Sequence, residues 1–219
     1  DNLKDIKKNN NFVILGGGGH CLSIIELIKR IRKFTIFGIL DPNYKKIKEV
    51  DGFKVLGDES ILDQLKHMGI SKLAIGIGSN GKHLNRNKIF KNAKKNGFDF
   101  PILIDKSVYI PKNLKISEGS QIFSGSIINS AVNIGKISVI NTGSIIEHGV
   151  SIGDNVFTGP RVTICGNAKV ENDVFIGANS CILPNIKILR QTIVGACSMI
   201  NKNFNTKSKL AGVPAKKIK

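Results

Sequence analysis

The chain has 219 residues, with 33 Lys and Arg against 16 Asp and Glu, a formal net charge of +17. Hydrophobic residues make up 41%, too many for a disordered polyelectrolyte and enough to bury the core of one large domain or two small ones. No apolar run approaches the roughly 18 residues of a membrane span. Lys4, Lys7 and Lys8 precede no stretch suited to a signal peptide, and with Asp1 in place of Met the natural start stays open. Cys21, Cys165, Cys181 and Cys197 form no Cys-x-x-Cys pair. That spacing argues against structural zinc and predicts buried, reduced thiols in a cytoplasmic protein.

In chain order, Phe12-Val13-Ile14-Leu15 reads as a short strand. Gly16-Gly17-Gly18-Gly19-His20 follows, then a helix with an apolar stripe at Ile24, Leu27, Ile28 and Ile31. Thr35 to Leu40 is a second strand ending at Asp41-Pro42, and Ser60 is placed to cap a short helix through Lys66. Lys72 to Ile77 gives a third strand before Gly78-Ser79-Asn80. A basic helix runs to about Lys95, stopped by Gly97, and Phe98 to Ile104 gives a fourth strand. Strands alternating with helices predict a parallel sheet of about four strands, a Rossmann-like α/β half domain over residues 1–106. About 100 residues supply only half of the usual dinucleotide fold, which disfavours an NAD enzyme.

A repeat governs the remainder, residues 107–219. Stepping by six from Ile110 meets Ile116, Ile122, Ile128, Ile134, Ile140, Ile146, Ile152, Thr158, Ile164, Val170, Ile176, Ile182, Ile188, Val194 and Ile200. All are β-branched, and only Thr158 is not aliphatic. Small or branched residues recur four places later, and glycine recurs one place later at Gly135, Gly153, Gly159, Gly177 and Gly195. This is the hexapeptide repeat of a parallel β-helix. Three hexapeptides make an 18-residue triangular coil with the six-spaced residues pointing inward. At about 4.8 Å per coil, five coils make a prism of roughly 24 Å.

The charge avoids this prism. Between Ile116 and Ile200, Lys136, Arg161, Lys169, Lys187 and Arg190 are balanced by Glu118, Glu147, Asp154, Glu171 and Asp173. The excess is therefore +11 before that stretch and +6 in a basic tail from Asn201. With no Trp, two Tyr and no basic–aromatic interleaving, nucleic acid is a poor partner. A solvated lysine surface and a phosphorylated small molecule remain as readings of the charge.

Two places offer chemistry. The glycine turn between strand and helix suits a pyrophosphate, because small residues let the backbone approach and the helix N-terminus presents free N–H groups. A plain structural turn is the other reading. Asp41 is placed to accept hydrogen bonds from a ribose or base. His148, at the second place after Ile146, is the one histidine inside the repeat. It is either a solvated surface residue or a general base. One histidine cannot make the three-histidine zinc site of a β-helical carbonic anhydrase, so no metal is expected.

Gly16-Gly17-Gly18-Gly19-His20, Gly76-Ile77-Gly78-Ser79-Asn80, Asn141-Thr142 leading to Ile146-Glu147-His148, and Gly212-Val213-Pro214-Ala215-Lys216 together resemble the bacterial sugar O/N-acyltransferases. That family includes sialic-acid O-acetyltransferases and UDP-4-amino-sugar N-acetyltransferases. The resemblance implies a left-handed β-helix, a homotrimer and acetyl-CoA as donor, with the active site between one subunit's nucleotide domain and a neighbour's β-helix. It makes His148 the catalytic base and sets Gly18, Gly19, His20, Asp41, Gly78 and Asn80 around the sugar nucleotide. Gly149 stands where members carry an acid that orients the histidine, so either another acid, Glu118 or Glu147, takes that task or the substrate differs. Phe157 stands where amino-sugar enzymes place a second histidine against acetyl-CoA. Gly177-Ala178 and Gly195-Ala196, 18 residues apart, would form a small-residue strip for the pantetheine arm, with the tail lysines attracting the phosphates of CoA. The expected activity is acetyl transfer from acetyl-CoA to a UDP-linked 4-amino sugar in bacterial surface-glycan biosynthesis. The alternatives are O-acetylation of a sialic-acid-like sugar and a non-catalytic sugar-nucleotide-binding scaffold.

Overall fold

The computed structural model describes residues 10–79, 81 and 84–218. The chain divides into two units, Asp1–Gly78 with Leu84–Leu103 and Ser79–His83 with Ile104–Lys219.

The first unit is built on β1 (Asn11–Leu15), whose residues are all buried. A strand covered on both faces reads as an unbroken apolar run, and Phe12-Val13-Ile14-Leu15 is one. It pairs in parallel with β2 (Thr35–Leu40) on one side and β5 (Lys72–Ile75) on the other. Helix α1 (Gly19–Ile31) buries Cys21, Ile24, Ile25, Leu27 and Ile28, and α3 spans Leu84–Lys95.

Several elements differ from the sequence expectation. A hairpin of β3 (Glu49–Val50) and β4 (Phe53–Gly57) adds to the sheet, giving the order β3-β4-β2-β1-β5. Its turn is Asp51-Gly52, with both φ angles positive at 49° and 82°, the conformation of a tight two-residue hairpin. The cap before α2 (Leu62–His67) is Asp58 rather than Ser60: the Asp58 carboxylate accepts the Ser60 N–H at 2.9 Å and begins a 3₁₀ turn that leads into the helix. Phe98 to Ile104 is not a continuous strand. Phe98 and Phe100 are buried, but pairing is limited to a bridge between Lys72 and Asp99. Pro101 interrupts the run by removing a ladder donor. Only β6 (Leu103–Ile104) is strand, and it joins a sheet of the β-helix.

In the second unit three parallel sheets stack with an 18-residue register, as in Asn133↔Ser151, Phe157↔Phe175 and Ile145↔Thr163. The first face runs through Lys115–Ile116 to Lys187–Ile188, the second through Gln121–Ile122 to Ile193–Val194, and the third through Ile127–Ile128 to Met199–Ile200. From Ile122 to Ile200 every six-spaced residue is buried, forming ladders of Ile and Val along the axis. Burying such a side chain stabilises the fold by about 1.5–3 kcal/mol.

Each corner has its own rule. The third residue after the inward one has positive φ, from Asn113 (69°) through Gly149 (69°) and Asn167 (59°) to Cys197 (56°). Asn, Asp and Gly, which tolerate this left-handed conformation, recur there for that reason. The small residue at the fourth place is often serine, whose hydroxyl bonds a corner carbonyl of the next coil, as from Ser138 to Gly153 (2.8 Å) and Ser180 to Gly195 (2.8 Å). The basic segment after Asn201 is not a loose tail. Lys209–Gly212 pairs with Ile193–Val194, and Ala215–Ile218 folds back antiparallel against it, burying Leu210 and Ala215.

Candidate active site

In the first unit the strand order reverses direction at β1, whose neighbours β2 and β5 lie on opposite sides. Such a switch point opens a crevice at the carboxyl ends of the strands. The glycine turn leaves β1 there, and Gly76-Ile77-Gly78 leaves β5 beside it. The turn is tied to both neighbours: the Gly16 N–H donates to Leu40 O at 2.7 Å and the Gly76 N–H to Leu15 O at 2.8 Å. A Cβ on Gly76 would sit 2.6 Å from Gly16 O, so glycine is needed for this approach. Gly18 and Gly19 border open space. No side chain caps α1 and its first turn holds no acid, leaving the positive end of the helix dipole available to an anion.

Asp41 is buried, and both of its oxygens are engaged: Oδ2 accepts the Gly17 N–H and Oδ1 the Asn43 N–H, each at 2.8 Å. It therefore fixes the turn at the mouth of the switch point, with lone pairs left over. His20 lies beside Gly78, where an added Cβ would be 3.4 Å from the His20 Cβ. Gly18, Gly19, His20, Asp41 and Gly78 thus share one end of the sheet; Asn80 lies outside the described residues. Arg86 was not singled out from sequence. It is fully buried on α3, donates to the Ile77 carbonyl, and burial pulls its guanidinium down to about 10. Burial also pushes the Cys21 thiol up to about 12, with Asp41 adding to the effect.

In the second unit His148 stands exposed at the corner between the third and first faces. Its backbone is clamped by neighbouring coils. The Asn167 N–H donates to His148 O at 2.9 Å, the Glu147 N–H to Ile164 O at 2.9 Å, and the Gly149 N–H to Ser130 O at 3.0 Å. Gly149 occupies the left-handed corner position, and a Cβ there would run into the Asn167 side chain. Neither candidate acid substitutes for one at this position. The Glu147 carboxylate makes a long 3.4 Å contact with the main-chain N–H of His148, and Glu118, on another corner, pairs with Lys136 at 3.5 Å. The His148 ring has no hydrogen-bond partner among the described residues. Instead it lies against Gly166, 18 residues on.

The remaining expected residues are not beside His148 within one chain. Gly177, Ala178, Gly195 and Ala196 lie on the corner between the second and third faces. Gly177 has a structural duty, because a Cβ there would meet the backbone of Gly195 at 2.7 Å; Ala196 is exposed beside it. Phe157 is buried on the second face, opposite the His148 edge, and stacks on Phe175 with ring centroids 6.0 Å apart. Of the thiols expected to be buried only Cys21 is. Cys165 and Cys181 are half-buried with sulfurs 4.0 Å apart, and Cys197 is exposed. Burial and the neighbouring Cys181 push the Cys165 thiol up to about 11. Among the described residues no cluster of three or more His, Cys, Asp or Glu could hold a metal ion, and no helix is long and apolar enough to cross a membrane.

Residues 11–93 match the family described as PglD N-terminal domain, and residues 167–202 match the bacterial transferase hexapeptide (six repeats). Among solved structures, PerB from Caulobacter crescentus in complex with CoA and GDP-perosamine is 30% identical. The match covers 96% of this chain and 98% of that one, with a TM-score of 0.89. The chain belongs to the left-handed β-helix sugar acyltransferases. A histidine-to-asparagine variant of the Caulobacter perosamine N-acetyltransferase matches this acyltransferase with 28% identity over 96% and 97% of the chains and a TM-score of 0.90. The acetyltransferase domain of PglB from Neisseria gonorrhoeae in complex with acetyl coenzyme A shares the fold, with 23% identity over 96% and 100% and a TM-score of 0.89. No curated protein sequence matches this acyltransferase.

Proposed function

We propose that the protein transfers the acetyl group of acetyl-CoA to the amine of a nucleotide-linked 4-amino sugar, with His148 as catalytic base. One observation carries this reading: an exposed histidine at a β-helix corner, in a chain 30% identical end to end to an enzyme bound to CoA and GDP-perosamine. His148 accepts the proton that the amine sheds as its nitrogen bonds the acetyl carbon and the thioester C–S bond breaks; the departing thiolate takes up a proton in turn. An imidazole ring nitrogen can accept a proton, which suits this task. The crevice around Gly18, Gly19, His20, Asp41 and Gly78 would hold the diphosphate and nucleoside.

The resemblance in sequence favours uridine as the base, whereas PerB binds GDP-perosamine. A panel of UDP- and GDP-linked 4-amino sugars, with a sialic-acid-like hydroxyl acceptor alongside, therefore decides the acceptor. Phe157 and the strip at Gly177, Ala178, Gly195 and Ala196 are proposed to serve acetyl-CoA. Because the strip and His148 occupy different edges of one prism, the site would be completed by a second copy, in a homotrimer. The third face supports this with outward Ile127, Ile145, Cys181 and Met199, of which Ile127 is 39% exposed. In this reading the enzyme works in the cytoplasm. The test is thiol release from acetyl-CoA. His148→Ala is expected to lower turnover by roughly 10²–10⁴ with the oligomer intact by light scattering. Tight nucleotide-sugar binding without turnover on any acceptor would refute the catalytic reading.

A further inference from the structure

The orientation of His148 has no acid behind it, yet the ring is not free to lie anywhere. His148 sits at the second place of its corner, and the next coil presents Gly166 at the same place. An ideal Cβ on Gly166 would be 2.7 Å from both Cε1 and Nε2 of His148 and 3.4 Å from Nδ1. All three of the nearest atoms belong to the imidazole. This sets Gly166 apart from Gly135, Gly159 and Gly177, where a Cβ would meet the backbone of the next coil.

Nor does the backbone call for glycine. Gly166 is not among the positive-φ residues, in contrast to Gly149 at 69°. The same place one coil further on is Pro184, and at the other corners of the repeat it holds residues such as Thr142, Asp154, Pro160 and Arg190. Proline fixes φ near −65°, so this corner place is ordinary backbone open to any side chain. Among these places from Lys112 to Ala196, Gly166 is the single glycine, and what fills the missing side chain's volume is the histidine ring.

We infer that Gly166 is a positioning residue, a seat that fixes the His148 imidazole against the next coil in place of an orienting carboxylate. This rests on His148 being the base. With any Cβ at 166, the ring edge has to retreat by about 0.7 Å to reach the 3.4 Å of ordinary contact. A misplacement approaching 1 Å at a reacting group costs up to about 10²-fold in rate.

The experiment combines Gly166→Ala with His148→Ala in the full-length protein, read by steady-state kinetics and by crystal structures of the variants. Gly166→Ala is expected to lower kcat about 10–100-fold with both KM values within about threefold. Its structure should show the ring displaced and the coil unmoved. Because the methyl of the variant displaces an exposed ring rather than a buried one, Tm should stay close to the parent value. On the His148→Ala background the added methyl has room, so Gly166→Ala should change the residual rate no further. Parental kcat with the ring in place would overturn the inference. So would a rise confined to the acetyl-CoA KM, or an equal loss on both backgrounds, since neither acts through the imidazole. If His148→Ala itself retains full activity, the catalytic reading fails, and the ring position in Gly166→Ala still decides whether the seat exists.

Discussion

Thr158 lies fully buried in a ladder otherwise made of Ile and Val. On hydrophobic grounds Thr158→Val should stabilise the protein. The hydrogen bonds give the opposite sign. Around the prism, the residue after each inward position donates its N–H to the inward carbonyl of the next coil, as Phe123 does to Ile140 and Glu147 to Ile164, both at 2.9 Å. Asn141 departs from this: its N–H goes to the Thr158 hydroxyl at 3.0 Å, and that hydroxyl donates to Val139 O at 3.2 Å. The side chain therefore stands in for a rung of the backbone ladder. Valine has the same shape but leaves the Asn141 N–H without its acceptor, at a cost of about 1–3 kcal/mol that the gained methyl only partly offsets. Serine keeps the rung and loses one methyl group, about 1 kcal/mol. Thr158→Val is thus expected to be the less stable of the two in urea unfolding. It should also speed hydrogen exchange at the Asn141 amide, which serine leaves protected. A valine variant as stable as the parent, with Asn141 still protected, would refute the argument.

Asp41→Ala removes the acceptor shared by the Gly17 and Asn43 N–H groups. It should lower stability by about 1–3 kcal/mol and weaken nucleotide-sugar binding measured by calorimetry; unchanged affinity would make Asp41 a purely structural brace. Ala196→Phe puts a ring on the exposed corner proposed for the pantetheine arm. The acetyl-CoA KM should rise while nucleotide-sugar affinity stays at the parental value, and an unaltered KM would show that the donor lies elsewhere.

The prism was legible because its period is set by geometry: an inward side chain every six residues leaves an aliphatic column in the sequence that tertiary context cannot hide. The corner rule was equally present, in Asn155, Asn167, Asn179 and Asn185 and in Gly119, Gly125, Gly143 and Gly149, but positive φ is visible only once the coil is drawn. The α/β unit was harder. Asp51-Gly52 is a hairpin signal, yet the strands it joins, Glu49–Val50 and Phe53–Gly57, are too short for a clear alternation. Phe98 to Ile104 has the apolar content of a strand, and it buries Phe98, Phe100 and Leu103 while only Leu103–Ile104 becomes one. Arg86 looked like one more residue of a lysine-rich helix, because burial of a guanidinium leaves no trace in the sequence. Gly166 did leave a signal, as the one glycine at its place in the corners, but its meaning needed the position of the ring beside it.

The hairpin at the C-terminus bears on what a stack of identical coils does when it stops. The last coil offers a row of ladder donors and acceptors, a template on which another chain could continue the stack into a filament. On the second face, Lys209–Gly212 takes up that row and Ala215–Ile218 turns back along it with Lys216 and Lys217 exposed. On the first face the Asn203 side chain accepts the Lys187 N–H at 2.7 Å. Cationic surfaces of this kind would repel one another, which opposes end-to-end stacking of two copies. Removal of the segment would be expected to release end-to-end fibre growth.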